Sequence, residues 1–143
     1  MQNSILFVCL GNICRSPLAE GIAKKMVIER GLDIKVASAG TSSWHVGEPP
    51  CSNSVTIAKR YGVDISDQRA QQVTPSLLKE YRYIIALDAN NLQDLKKMGV
   101  EDVQKLLDED VPDPYFFDGN DTLDGFERVY KMIEKGVKEL LLK

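Results

Sequence analysis

Ile5-Leu6-Phe7-Val8-Cys9-Leu10-Gly11-Asn12-Ile13-Cys14-Arg15-Ser16-Pro17 is the most informative stretch of the 143-residue chain. Ile5 to Cys9 is a short continuous apolar run, the signature of a strand buried on both faces. Pro17 suits the first turn of a helix, and Leu18, Ile22 and Met26 then repeat at four-residue spacing until Gly31 stops it. A strand end, a short loop and a helix start therefore follow one another. In an open parallel sheet ligands bind at the carboxyl ends of strands, and a helix amino terminus offers free N–H groups and a positive dipole end to an anion. Gly11 permits backbone conformations closed to most residues and Asn12 tolerates positive φ, so the loop can curl with its amides inward. Arg15 adds a planar fork suited to two phosphate oxygens at once. A helix amino terminus and a nearby Arg also favour the thiolate, the form in which a cysteine attacks. The loop predicts a phosphate cradle of Leu10, Gly11, Asn12, Ile13, Cys14, Arg15 and Ser16 with Cys9 as nucleophile. Ser16 can donate a hydroxyl hydrogen bond to that sulfur and ease its later departure.

Outward from this loop, apolar runs alternate with helical patterns, which favours βαβ units and a parallel sheet. A second strand is expected over 34–37, and a helix carrying Val55, Ala58 and Tyr61 on one face ends at Gly62. Thr74 and Pro75 read as an N-cap and first residue of a short helix, and Tyr83 to Leu87 as a third strand. Asp88 either orients the cradle from a neighbouring strand end or only caps the next helix. Val103 to Leu107 reads as a fourth strand. An acidic loop follows, then a long helix with Phe126, Val129, Tyr130, Ile133, Val137 and Leu140 at helical spacing. The chain reads as one α/β domain over 1–143.

Eighteen Lys and Arg against 21 Asp and Glu give a net charge of −3, which argues against a nucleic-acid surface. No apolar run approaches the about 18 residues that span a bilayer, and the first residues lack the basic start of a secretory signal. A cytoplasmic setting without membrane contact is expected. Three cysteines cannot all pair, and in a reducing compartment a cysteine in a special setting is reactive rather than structural. Neither the cysteines nor the single histidine has zinc-ligand spacing, so no structural zinc site is expected. The loop also lacks the Gly-Lys-Ser/Thr of a nucleotide-binding loop. His45 reads as a surface or pocket-rim residue, and Cys51, after Pro49 and Pro50, as a helix-start residue without chemistry.

The chain resembles the low-molecular-weight protein tyrosine phosphatases over nearly its whole length. Val8 to Pro17 reads as that family's amino-terminal loop, and Asp113-Pro114-Tyr115 matches its Asp-Pro-Tyr motif. Ser38-Ala39-Gly40, Trp44 in a Trp-x-Val-Gly segment, Asp88, Asn91 and the last amphipathic helix match as well. The resemblance implies a four-stranded parallel sheet flanked by helices on both faces, with the phosphate-binding loop after the first strand. It further implies hydrolysis of phosphotyrosine through a cysteinyl-phosphate, without metal or cofactor. The chain departs from the family at Leu87, where many members have Met, at Phe116, where a second Tyr is frequent, and at Gln68, which aligns with a His that buttresses the loop Asn.

The residues carry the same reading. A phenol leaves slowly as an anion because its pKa is about 10, so a positioned acid contributes about 10²–10⁴-fold. Asp113 is the candidate acid, and afterwards the base toward the water that attacks phosphocysteine. The nearby acidic residues Asp108, Glu109, Asp110, Asp118 and Asp121 favour its protonated form. Trp44 and Tyr115 can wall a pocket deep enough for an aromatic ring. Tyrosine-phosphorylated proteins or small aryl phosphates are the expected partners. Arsenate reduction on the same scaffold would need further cysteines downstream, and none follows Cys51. A catalytically silent phosphotyrosine reader or thiol redox sensor could dispense with Cys9 or Asp113, yet both are present. An exposed Cys9 thiolate is open to peroxide, and a curled loop can bring Cys14 near enough to close a protective Cys9–Cys14 disulfide.

Overall fold

The computed structural model describes residues 3–112 and 123–141. Strand β1 (Asn3–Cys9) leads through the loop into helix α1 (Ser16–Arg30), then β2 (Ile34–Gly40), α2 (Ser52–Arg60) and the short α3 (Pro75–Lys79). Strand β3 (Tyr83–Ala86), α4 (Ala89–Lys97), β4 (Val103–Lys105) and α5 (Leu123–Leu141) complete the chain. The four strands form one parallel sheet in the order β2-β1-β3-β4. Strand β1 is central, as its apolar run requires: Ile5, Leu6, Phe7, Val8 and Cys9 are all buried.

Alternation along β1 divides the core in two. Ile5, Phe7 and Cys9 pack with Leu18, Ile22, Ile57, Phe126, Tyr130 and Ile133 from α1, α2 and α5. Leu6 and Val8 face the other side, with Val73, Tyr81, Ile84 and Leu95 and with Leu77 and Leu78 of α3. Helices thus cover both faces, three on one and two on the other. Between α2 and α5 the rings of Tyr61 and Tyr130 stack at 4.6 Å. The Tyr61 hydroxyl donates to Glu127 Oε1 at 2.6 Å, which raises the phenol pKa and lowers that of the carboxyl. Burial pushes Tyr130 up to about 12.

The elements lie where the periodicities put them, and several ends are as expected. Gly31 closes α1 in the left-handed conformation at φ 63°, Thr74 Oγ1 caps α3 by accepting from Leu77 N–H, and Asp88 caps α4. The differences are at strand ends. Strand β2 runs three residues past Ala37, to Gly40, because its pairing with β1 continues to Cys9↔Gly40. Strands β3 and β4 stop at Ala86 and Lys105, short of the expected Leu87 and Leu107, and Leu87 N–H and Leu106 N–H instead bond to Val8 and Ala86 carbonyls.

Helix α1 approaches the segment before Arg69 closely at Gly21. A Cβ there would lie 2.5 Å from Ile65 Cγ2 and 2.9 Å from Val63 Cγ1, both on stiff, buried side chains. Alanine gains about 1 kcal/mol of helix propensity over glycine, but overpacking of this kind costs about 1–3 kcal/mol. Gly21→Ala should therefore lower the urea midpoint with an unchanged slope. A midpoint at or above that of the wild type would mean that the α1 contact is loose.

Candidate active site

The loop after β1 turns because Asn12 takes a positive φ of 58°, the only non-glycine residue among those described to do so. The left-handed conformation was expected of Gly11 as well, and Gly11 does not adopt it. Its smallness serves space instead: a Cβ on Gly11 would lie 3.0 Å from His45 Cδ2. Asn12 is buried to 3% exposure and its side chain is fully used. Its Nδ2 donates to Ser16 Oγ at 2.7 Å and to Ser38 Oγ at 2.9 Å, and its Oδ1 accepts from Gln71 N–H at 3.0 Å. Ser38 Oγ in turn donates to Glu20 Oε1 at 2.6 Å, and Lys24 Nζ donates to the other carboxylate oxygen at 2.6 Å.

This network aims at Cys9. Asn12 N–H donates to Cys9 Sγ at 3.2 Å, and Ser16 Oγ lies 3.0 Å from the same sulfur. Ser16 Oγ accepts from Asn12 Nδ2, which leaves its proton available for the sulfur. Two polar groups thus meet the Cys9 sulfur at the start of a 15-residue helix.

Arg15 is buried to 6% exposure, and its Nη1 donates to Asp88 Oδ2 at 2.7 Å and to the Val111 carbonyl at 2.9 Å. Asp88 makes the contacts that both readings of it call for, since its Oδ1 also accepts from Asn91 N–H at 2.7 Å to cap α4. Close by, Asp110 accepts from Ala89 N–H, and its hydrogen bond and ion pair with Lys105 hold its carboxyl below the usual range.

A cavity of about 280 Å³ is lined by Cys9, Leu10, Gly11, Ile13, Cys14 and Arg15 and by Trp44 and His45. Trp44 is 72% exposed, an apolar wall at the opening, and His45 is the rim residue expected, hydrogen-bonded to Glu48 at 2.9 Å. Asp113 and Tyr115 lie outside the described residues. Among those described, no cluster of three or more His, Cys, Asp or Glu can hold a metal, and no helix is long and apolar enough to cross a membrane.

Two expectations need correction. Cys14 is disulfide-bonded to Cys51, not to Cys9, which is free and buried. Cys51 does stand at the helix start, as the N-cap of α2, but it is not without chemistry. The physical reason is non-local: Cys51 N–H bonds to the Ile13 carbonyl at 2.8 Å and Ser54 Oγ to the Cys14 carbonyl at 2.9 Å, so α2 is pinned against the loop. Gln68 does not buttress Asn12 either. Its Nε2 donates to the Pro17 carbonyl at 3.1 Å, and the Gln71 backbone supports the asparagine in its place.

Ser38, Glu20, Gln71 and Gly40 are site-forming residues that the sequence reading did not assign. Gly40 is required by space, since a Cβ there would meet the Leu10 carbonyl oxygen at 2.7 Å and Asn12 N at 3.1 Å, both backbone atoms.

A buried sulfur and a buried guanidinium, set in a loop between strand and helix at the mouth of an open cavity, define a site where cysteine attacks a bound phosphoryl group. The family described as low molecular weight phosphotyrosine protein phosphatase matches residues 4–143. The chain is 41% identical to the low molecular weight protein-tyrosine-phosphatase YfkJ of Bacillus subtilis, covering 96% of this chain and 93% of the relative. The low molecular weight phosphotyrosine protein phosphatase of Gallus gallus is 36% identical, covering 98% and 94%. The crystal structure of YfkJ superposes with a TM-score of 0.90 over 99% of this chain and 94% of that one. The chain belongs to the low molecular weight phosphotyrosine protein phosphatase family.

Asp88→Asn separates the two roles of that carboxylate. Asparagine caps a helix as well as aspartate, so the cap of α4 is kept and any fall in melting temperature reports the loss of the anion beside buried Arg15. Loss of the anion that holds Arg15 should lower kcat/KM about ten-fold or more. Unchanged kinetics would reduce Asp88 to a cap.

Proposed function

We propose that this cysteine-dependent protein-tyrosine phosphatase works through Cys9, Arg15 and Asp113 in the following roles. Cys9 Sγ attacks phosphorus in line with the phenolic oxygen of phosphotyrosine. The bond to that oxygen breaks as the sulfur–phosphorus bond forms, and Asp113 gives the departing phenolate its proton. Asp113, now a carboxylate, takes a proton from water as that water attacks phosphocysteine, and Cys9 leaves as thiolate with Ser16 donating to it. Arg15 and the amides of Leu10 to Ser16 hold the equatorial oxygens through both steps, where charge is greatest.

The observation that carries this reading is the pair of donors, Asn12 N–H and Ser16 Oγ, at 3.2 and 3.0 Å from the Cys9 sulfur. Trp44 supports preference for an aromatic substrate, since its exposed ring offers a stacking wall beside the cavity, and Tyr115 is the second wall proposed. Small aryl phosphates fit the same cavity as tyrosine-phosphorylated proteins. The net charge of −3 fits partners other than nucleic acid, and a cytoplasmic setting away from membranes accords with it.

Cys9→Ser should abolish turnover and leave phosphate or vanadate binding largely intact, because Arg15 and the amides remain. Arg15→Lys should fail at both, since a point charge cannot reproduce the two-pronged geometry. Kinetics and oxyanion titration of the two variants check this, and a Cys9→Ser protein that still turns over phosphotyrosine near the wild-type rate refutes the mechanism.

Asp113→Asn should slow phosphotyrosine hydrolysis by about 10²–10⁴-fold. The loss should shrink for aryl phosphates with more acidic phenols, which need less protonation. A loss independent of leaving-group pKa, measured where phosphorylation of Cys9 limits the rate, would remove Asp113 from the acid role.

A further inference from the structure

The phosphatase reaction leaves Cys51 unused, yet the fold brings it to the catalytic loop. It is bonded to Cys14 across 37 positions of sequence, with Cα atoms 5.3 Å apart, within the span a disulfide needs. Two backbone-directed hydrogen bonds, Cys51 N–H to the Ile13 carbonyl and Ser54 Oγ to the Cys14 carbonyl, fasten the same junction without help from the sulfurs. Reduction of the bond therefore leaves two thiols held side by side. Cys14 faces both ways, for it also lines the cavity in which Cys9 lies, whereas Cys51 does not. Cys9, Cys14 and Cys51 are all the cysteines the chain has, and Cys9 is the one left free.

We infer that the three cysteines form a peroxide-reducing relay in which Cys51 is the resolving thiol and Cys9 is returned unmodified. The inference rests on Cys9 being the reactive nucleophile. Cys9 thiolate attacks one peroxide oxygen, the O–O bond breaks, and hydroxide leaves to be protonated to water, giving the sulfenic acid. The Cys14 sulfur attacks the Cys9 sulfur, the S–O bond breaks, and a second water leaves as the Cys9–Cys14 disulfide forms. Cys51 thiolate then attacks the Cys14 sulfur, and the electron pair of the old S–S bond returns to Cys9 as thiolate. The sum is one hydroperoxide reduced by two electrons to two waters, and one dithiol oxidised to the Cys14–Cys51 disulfide. The structure holds this end state.

The position of Cys51 suits the last step. It is the N-cap of α2, where the free N–H groups of a helix end favour negative charge on an attacking sulfur. The relay also gives the Cys9–Cys14 pair its place: it is the transient intermediate, and the disulfide that persists leaves the nucleophile free. Oxidation by one equivalent of peroxide then spends the Cys14–Cys51 dithiol and spares catalysis. An external dithiol that reduces the bond resets the relay for another turnover.

The test is to reduce the protein, remove the reductant, add one equivalent of hydrogen peroxide, and follow phosphatase activity while mapping disulfides by non-reducing peptide mass spectrometry. The wild type should dip and recover most of its activity without reductant, with Cys14–Cys51 as the product. Cys51→Ser, and Cys51→Ala as a second replacement, should start at wild-type activity when reduced, because the Cys51 side chain does not line the cavity and either replacement keeps the backbone N–H bond to Ile13. After peroxide they should accumulate Cys9–Cys14, fall about ten-fold or more in activity, and recover only on addition of dithiothreitol. Cys9→Ser should form Cys14–Cys51 at least about ten-fold more slowly than the wild type, since direct oxidation of the pair bypasses the relay. The relay is overturned if an initially active wild type ends as Cys9–Cys14 or as Cys9 sulfinic acid and stays inactive. It is equally overturned if the Cys51 variants recover without reductant, or if Cys9→Ser forms the disulfide at the wild-type rate. Activity before peroxide and its loss in Cys9→Ser report on the nucleophile separately from all three outcomes.

Discussion

The site depends on one residue held in a conformation it would not choose. Asn12, at φ 58°, carries a left-handed strain of about 1–2 kcal/mol for an ordinary L-residue, less for asparagine. Three side-chain hydrogen bonds, each worth about 0.5–1.5 kcal/mol net, more than offset it. The turn that results points Asn12 N–H at the Cys9 sulfur, brings Ser16 to the same atom, and starts α1 directly behind the loop. Without that turn the residues after Cys9 would simply continue outward from the sheet.

The parallel sheet supplies what Asn12 holds on to. Several supports of the loop come from the carboxyl ends of strands: Ser38 and Gly40 lie at the end of β2, Asp88 follows β3, and Val111 follows β4. Gly40 lets the loop backbone lie against β2, while Asp88 and the Val111 carbonyl aim the buried guanidinium. The site is therefore largely formed before any ligand arrives, which is where much of the power of a phosphoryl-transfer site resides. Asp88, at 2.7 Å, offsets part of the cost of burying the Arg15 charge.

How much could be read from the sequence follows from how local each feature is. The run from Ile5 to Pro17 carries its strand, turn and helix start within 13 positions, so Cys9, Arg15 and Ser16 could be assigned roles without the structure. Asp88 was half legible, because a cap is a local matter and its contact with Arg15 spans 73 positions. Glu20 and Gln71 carry no local signal that distinguishes a network member from a solvated polar residue, and the Ser38-Ala39-Gly40 match gives Ser38 no role by itself. Gly11 and Gly40 were misjudged or missed for a related reason: both are demanded by the close approach of distant chain, at His45 and at Leu10, and not by backbone angle. Cys51 was the largest surprise, since its pairing with Cys14 depends on how α2 docks. A signal was present in the Pro-Pro-Cys start of that helix, but spacing alone could not say which cysteine it would meet.

The claim that most of this rests on is that Asn12 shapes the anion site before anything binds. It is tested most directly by the affinity of inorganic phosphate for Asn12→Ala, measured by calorimetry beside the wild type. That variant keeps Cys9, Arg15 and every loop amide, so a site assembled by the ligand would bind phosphate as before. The account predicts affinity weaker by about ten-fold or more, the equivalent of losing more than one hydrogen bond's worth of preorganisation. Equal affinity in the two proteins would contradict it.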